Sequence, residues 1–259
     1  MIDGITYREA GEGNDTLLCL HGIGGDARSF HHQLGAFPKL KTVAWDMPGY
    51  HGSEARMMPP DFAHLSDRLA AFIDGLGSPV HLLGHSIGGM LALEHASRHA
   101  EQIKSLTLLA TTPRFGGRDD SFKEAFLKAR LGPLDAGQTM AQMAAETAPQ
   151  LVGPNTPPKE IARIEAGLAD VPLETWRGIL QCLVTFDRVA DLDTITLPTL
   201  AVAGSVDRNA PAPTMEKMAT RIKGARYHLM ENAGHMPHQE MPAAFNAVLA
   251  EFLEEVITP

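Results

Sequence analysis

Ser86, Asp207 and His235 are the residues of this 259-residue chain whose types and surroundings point most directly to chemistry. A serine hydroxyl is a poor nucleophile at neutral pH. It reacts only when a base within hydrogen-bond reach takes its proton and a third group orients that base. Ser86 lies in Gly84-His85-Ser86-Ile87-Gly88. Glycines two before and two after a serine let the backbone turn through strained dihedrals and leave Oγ at the apex. Alone, the pentapeptide also fits an ordinary strand-to-helix turn with a serine cap. Its flanks favour the strained turn, because the apolar run Val80 to Leu83 precedes it and a helix-like run from Gly89 to His99 follows. Asp207 lies in Gly204-Ser205-Val206-Asp207-Arg208-Asn209-Ala210-Pro211, after the strand-like Leu200 to Ala203. His235 lies in Asn232-Ala233-Gly234-His235-Met236-Pro237, after Tyr227 to Met230. Strands running parallel in one sheet would carry all three loops to the same carboxyl edge.

Three residues so far apart in sequence need such a scaffold, and the chain supplies the pattern for it. Ile5 to Ala10 reads as a short edge strand and Thr16 to Leu20 as a buried one; Thr42 to Trp45 and Ser105 to Ala110 are also strand-like. Asp61 to Leu76 places Phe62, Leu65, Leu69, Phe72, Ile73 and Leu76 near helical spacing, and Gly77, Ser78 and Pro79 end it. His21-Gly22-Ile23-Gly24-Gly25 follows the second strand, where unsatisfied N–H groups can be aimed at an anion; without Ser86 it would equally be a plain loop. Asp26 is expected to open a helix through Leu34. No G-x-x-x-x-G-K-[ST] and no clean G-x-G-x-x-G is present. Strands alternating with helices predict an α/β fold, a mostly parallel doubly wound sheet with right-handed crossovers.

From Thr111 to about Ala190 helical runs replace the strands, punctuated by Pro113, Gly116, Gly117, Gly132, Pro133, Pro149, Pro154, Pro157 and Pro158. Phe122, Ala125, Phe126 and Ala129 share one predicted face, and similar stripes follow, each read as core rather than as a cofactor box. The strand and helix pattern then resumes. The expected organisation is a core of residues 1–112 and 191–259 with a helical cap of residues 113–190, leaving the sheet just after the strand that follows Ser86 and so lying over it.

A chain with 44% hydrophobic and 20% charged residues and a formal charge of -9 is composed like a soluble globular protein. It gains nothing from phosphate backbones, which argues against nucleic acid as a partner. Cys19 and Cys182 imply neither a disulfide framework nor a zinc site. Met1 to Glu9 lacks a secretory pattern and no run approaches about 18 apolar residues, so a cytoplasmic enzyme without membrane attachment is expected.

The order serine, aspartate, histidine together with these four loops resembles the α/β-hydrolase fold family over essentially the whole chain. His21-Gly22 with its glycines resembles the family's oxyanion loop, Gly84 to Gly89 its nucleophile elbow, Gly204 to Pro211 its acid loop and Gly234-His235-Met236-Pro237 its histidine loop. Size and loop texture are similar to those of small capped bacterial carboxylesterases and lactonases, such as 3-oxoadipate enol-lactonase and the pimeloyl-ester carboxylesterases. The resemblance implies that Ser86 attacks, His235 moves the proton and Asp207 holds the imidazole, with the backbone N–H groups of Ile23 and Ile87 as the oxyanion hole. It implies a carboxylic ester, lactone or thioester of a small to medium acid as substrate, and no cofactor or metal. Oligomeric state is left open. Carbon–carbon bond hydrolases of vinylogous diketones, cofactor-free perhydrolases and acyltransferases, and slow-turnover ligand receptors share the constellation and stand as alternatives. A serine at the elbow argues against halide displacement and epoxide opening.

One stretch departs from the family pattern. Asp46 to Ser53 resembles D-x-[RP]-G-x-G-x-S but puts His51 where glycine is usual, which carries strain if the position needs φ > 0, and leaves the role of Tyr50 open. Among the other histidines, His95 and His99 share a helix face and are expected at a polar surface. His31 and His32 are adjacent and expected to point to different helix faces. His85 should pack beside the elbow and His238 in the turn after the catalytic loop. Asp119 and Asp120 read as solvated. Of Arg114, Arg118, Lys123, Lys128, Arg130, Arg163, Arg177 and Arg188, one could anchor a substrate carboxylate, although a solvated cap face accounts for any single one.

Overall fold

Alternation along β2 (Asp15–Leu20) shows how the layers form in the computed structural model, which describes residues 1–77, 79–116 and 120–257. Leu18 and Leu20 point to one buried cluster and Leu17 and Cys19 to the other, so both faces of the strand are covered. The remaining strands are β1 (Tyr7–Ala10), β3 (Leu40–Trp45), β4 (Val80–His85), β5 (Ile103–Leu109), β6 (Thr199–Gly204) and β7 (Arg226–Met230). Their order across the sheet is β1-β3-β2-β4-β5-β6-β7. Among the described residues, β1 runs antiparallel to β3, and the other strand pairings of the sheet are parallel. This is the mostly parallel doubly wound sheet that the sequence predicts, and β4, buried at every position, is the continuous apolar strand such sheets require.

Helices α1 (Phe62–Leu76) and α2 (Ile87–Arg98) cover one face. The Asp61 carboxylate caps α1 by accepting the His64 N–H at 2.7 Å. On the other face α9 (Pro242–Ile257) lays down Phe245, Leu249, Phe252 and Leu253, a helical stripe, against Val202 and Leu83. Each such side chain stabilises the fold by about 1.5–3 kcal/mol when fully buried. α7 (Ala212–Arg221) connects β6 to β7, and α8 (Pro237–Glu240) is a single turn.

Between β5 and β6 lie α3 (Asp120–Asp135), α4 (Met140–Thr147), α5 (Pro158–Ala169) and α6 (Leu173–Leu183). Thr175 of α6 donates through its hydroxyl to the Gly49 carbonyl at 2.9 Å, and α5 packs on the connection after β2. In α3, Phe126 packs edge-on against Phe115, but Phe122 is 52% exposed, so the predicted stripe is only partly core. Ser78, Gly117, Arg118 and Asp119 lie outside the described residues.

The helix expected from Asp26 to Leu34 is instead a 3-10 turn, Ala27–Phe30, followed by further turns. Asp26 accepts the Arg28 N–H at 2.6 Å while the Ser29 hydroxyl accepts the Asp26 N–H at 3.2 Å. That reciprocal cap fixes where the turn begins, as the Thr139–Gln142 cap does for α4.

Candidate active site

The strand-to-helix turn after β4 holds Ser86 at φ 55°, ψ -120°, a region costing a non-glycine residue about 1–3 kcal/mol. The turn closes so tightly that a Cβ on Gly84 would lie 2.3 Å from the Gly88 carbonyl oxygen, and one on Gly88 would lie 2.4 Å from that of Leu20. Two hydrogen bonds pin it: the Ser86 N–H donates to Leu109 at 3.0 Å, and the Thr111 hydroxyl donates to the Ser86 carbonyl at 2.7 Å.

The loops after β6 and β7 deliver Asp207 and His235 to this serine. His235 Nδ1 is 2.8 Å from Asp207 Oδ2, and His235 Nε2 is 3.0 Å from Ser86 Oγ. An ionised carboxylate only accepts, so Nδ1 carries the proton and Nε2 presents its lone pair to the serine hydroxyl. The second oxygen of Asp207 accepts from the N–H groups of Asn209 and Ala210 at 2.7 and 3.1 Å. Burial alone would raise this carboxyl; the His235 charge, its hydrogen bond and the two backbone donors outweigh it and hold the group below the usual carboxylate range. Ser86, Asp207 and His235 are therefore brought together.

Ile87 opens α2 and Ile23 lies in the glycine-rich turn. Among the described residues no hydrogen bond consumes the N–H of either. The Tyr50 hydroxyl donates to the Ile23 carbonyl at 2.7 Å, and the preceding peptide, which carries the Ile23 N–H, is held through the Gly22 carbonyl by the Gly25 N–H at 3.0 Å. His21 accepts the Met47 N–H through Nε2 at 2.9 Å and donates through Nδ1 to Gly22 at 2.8 Å, so the loop is tied at both ends. His51 does adopt φ 42°, the strained region foreseen for it, with Nε2 3.1 Å from Asp26 and 3.0 Å from Arg28.

Two contacts hold His235 itself. Its N–H donates to the Leu151 carbonyl at 2.6 Å, and its carbonyl accepts from His85 Nε2 at 2.8 Å. Burial, and then the neighbouring His235, push the His85 imidazole down to about 3, so it is neutral. Glu240 was not singled out from sequence. Its Oε2 accepts from Gly153 N–H (2.6 Å), Gly234 N–H (3.0 Å) and the Thr156 hydroxyl (3.1 Å), and its Oε1 accepts from Met236 N–H (2.9 Å). The one local signal was an acid placed to reach back across a proline-initiated turn.

A cavity of about 490 Å³ opens over Ser86 and His235, bounded by Ile23, Arg130, Leu168 and Trp176 among others. Among the basic residues considered, Arg114 pairs with Asp187, Lys123 with Asp120, Arg163 with Glu160, Arg177 with Asp135 and Arg188 with Glu94. Arg130 lines the cavity with no carboxylate partner among the described residues, 5.5 Å from the Phe126 ring centre; burial lowers its basicity.

Two histidine expectations are corrected. His95 is fully buried and bonded to the Ser66 hydroxyl at 3.1 Å, because α1 packs over that face; only His99 reaches the surface. His31 and His32 do not diverge, since the helix that would separate them does not form, and their ring centres lie 3.8 Å apart with the planes tilted by 41°.

The sheet order, strained serine turn and loop positions are those of an α/β hydrolase. Residues 17–248 match the alpha/beta hydrolase family model, and the chain belongs to that family. It is 33% identical over 247 residues to a pimeloyl-[acyl-carrier protein] methyl ester esterase of Neisseria meningitidis, covering 92% of each chain. A protein of the same description from Aeromonas hydrophila is 27% identical, over 96% of this chain and 99% of its own. The enol-lactonase of Burkholderia xenovorans shares the fold with a TM-score of 0.86 at 24% identity, over 98% of both chains. Among the described residues no helix is long and apolar enough to cross a membrane.

Proposed function

We propose that the protein is a cytoplasmic serine hydrolase that cleaves a carboxylic ester, lactone or thioester through an acyl-enzyme. The continuous hydrogen-bond relay from Ser86 through His235 to Asp207 carries this reading. Ser86 Oγ attacks the acyl carbon as its proton passes to His235 Nε2; the oxyanion that forms is received by the N–H groups of Ile23 and Ile87. Each such donor typically contributes about 10² to 10³ in rate. Collapse expels the alcohol or thiol, which takes the proton from His235. Water then repeats the sequence, releasing the acid and restoring Ser86. Asp207 keeps the imidazole in the working tautomer and stabilises its cationic form. No cofactor enters these steps.

Residues 113–190 act as a cap on the core of residues 1–112 and 191–259, and the cavity volume suits a small to medium acyl group. Arg130, which has no carboxylate partner among the described residues, supports an acyl chain or leaving group ending in an anion. The esterases similar to this chain support the ester bond as its target. The test is turnover of p-nitrophenyl esters from acetate to decanoate, and of several lactones, by wild type and Ser86→Ala. Ser86-dependent turnover is expected; equal rates for the two proteins would refute the proposal.

A further inference from the structure

Away from the cavity, His31, His32 and Glu160 bring three ligand atoms close together. His31 Nε2 and His32 Nε2 each lie 3.4 Å from Glu160 Oε2, and the three atoms fall within 4.8 Å of one another. All three are buried, and no protein group among the described residues hydrogen-bonds to them. Three polar atoms facing one another without a bond are costly unless something joins them.

The spacing fits a metal ion. Tetrahedral zinc, bonded at about 2.0–2.1 Å, sets its ligand atoms about 3.3 Å apart. The tautomer also fits. His31 Nδ1 is 3.1 Å from the Arg28 carbonyl, which can only accept, so the proton sits on Nδ1 and the Nε2 lone pair faces inward. A backbone carbonyl behind a ligating imidazole is the usual orienting partner in metal sites. Arg163 lies 3.6 Å from the other carboxylate oxygen, Oε1, and leaves Oε2 free. Two imidazoles and one carboxylate suit Zn²⁺; Mg²⁺ and Ca²⁺ take mostly oxygen ligands and more of them.

We propose that His31, His32 and Glu160 bind one Zn²⁺, with water completing its coordination, and that the ion clips the connection after β2 to α5. None of the three lines the catalytic cavity, whereas Ile164 and Leu168, one and two turns beyond Glu160 on α5, do. The ion therefore fixes the helix that shapes the pocket wall and takes no part in acyl transfer.

The experiment is calorimetric titration of untagged, chelator-stripped protein with Zn²⁺ near neutral pH, paired with thermal unfolding. One Zn²⁺ per chain is expected, with Tm rising by roughly 5–10 °C at a hundredfold excess over Kd. Glu160→Gln and His32→Gln, checked for folding by circular dichroism, should each weaken binding by at least about tenfold. Exposed His228→Gln should bind as wild type does. Co²⁺ should give the visible absorption of a tetrahedral complex. Saturation weaker than about 100 µM, more than one equivalent site, or wild-type affinity in a folded Glu160→Gln or His32→Gln protein would overturn the proposal.

Discussion

His85, the residue before the proposed nucleophile, donates through Nε2 to the main-chain carbonyl of His235 at 2.8 Å. The serine turn and the histidine loop are thus joined directly, through backbone on one side and a neutral imidazole on the other. His85→Leu should keep the burial and lose the bond. A base displaced by about 1 Å costs up to about 10²-fold, so kcat should fall with KM little changed, and steady-state kinetics decide it.

Ser86→Ala should lower activity by about 10⁶-fold with stability nearly unchanged. Ser86→Gly should be equally inactive yet more stable than Ser86→Ala by about 1 kcal/mol, because glycine accepts the positive φ. Urea unfolding of the two variants side by side measures this.

Glu240→Gln leaves four donors facing a neutral, half-donating amide. A loss of about 2–4 kcal/mol is expected, together with a lower kcat from a loosened histidine loop. An unfolding midpoint equal to that of wild type would remove Glu240 from its structural role.

Arg130→Gln should raise KM by about tenfold or more for esters ending in a carboxylate and leave neutral esters of equal length unaffected. Parallel kinetics on the two ester series separate anion recognition from general damage to the pocket.

Acid should destabilise the protein through histidines buried in the neutral form. His95 and His85 are both driven by burial to about 3, below the ordinary 6.5. The unfolded chain therefore binds protons that the folded chain refuses, and stability present above pH 6.5 is lost as pH falls toward 3. The limit is about 1.4 kcal/mol per pH unit for each such group. Denaturant titrations at pH 7.5, 6 and 5 should show the decline, and a folded His95→Gln variant should show a shallower one.

Local signals were readable in the sequence and distant ones were not. The Ser86 turn was legible because its glycines stand within two residues of the serine and answer a steric demand made in the same pentapeptide. The acid and histidine loops were legible from the apolar strands that precede them. Glu240 was not, since its meaning comes from Gly153, 87 residues away. Tyr50 gained a role only when folding set its hydroxyl under Ile23, and His95 only when α1 supplied Ser66. The pairing of His31 with His32 was not legible either, because a regular helix would set adjacent residues on different faces and the chain here takes a 3-10 turn instead.

The segment from Leu151 to Thr156 holds the histidine loop and the short helix after it at three points, through the Leu151 carbonyl on the His235 N–H and through the Gly153 N–H and the Thr156 hydroxyl on Glu240. It acts as a mechanical interlock. Any displacement of this backbone would break the Leu151 bond to His235 and the bonds to Glu240 together, so the proposed cap and the proposed base are coupled through the same few atoms.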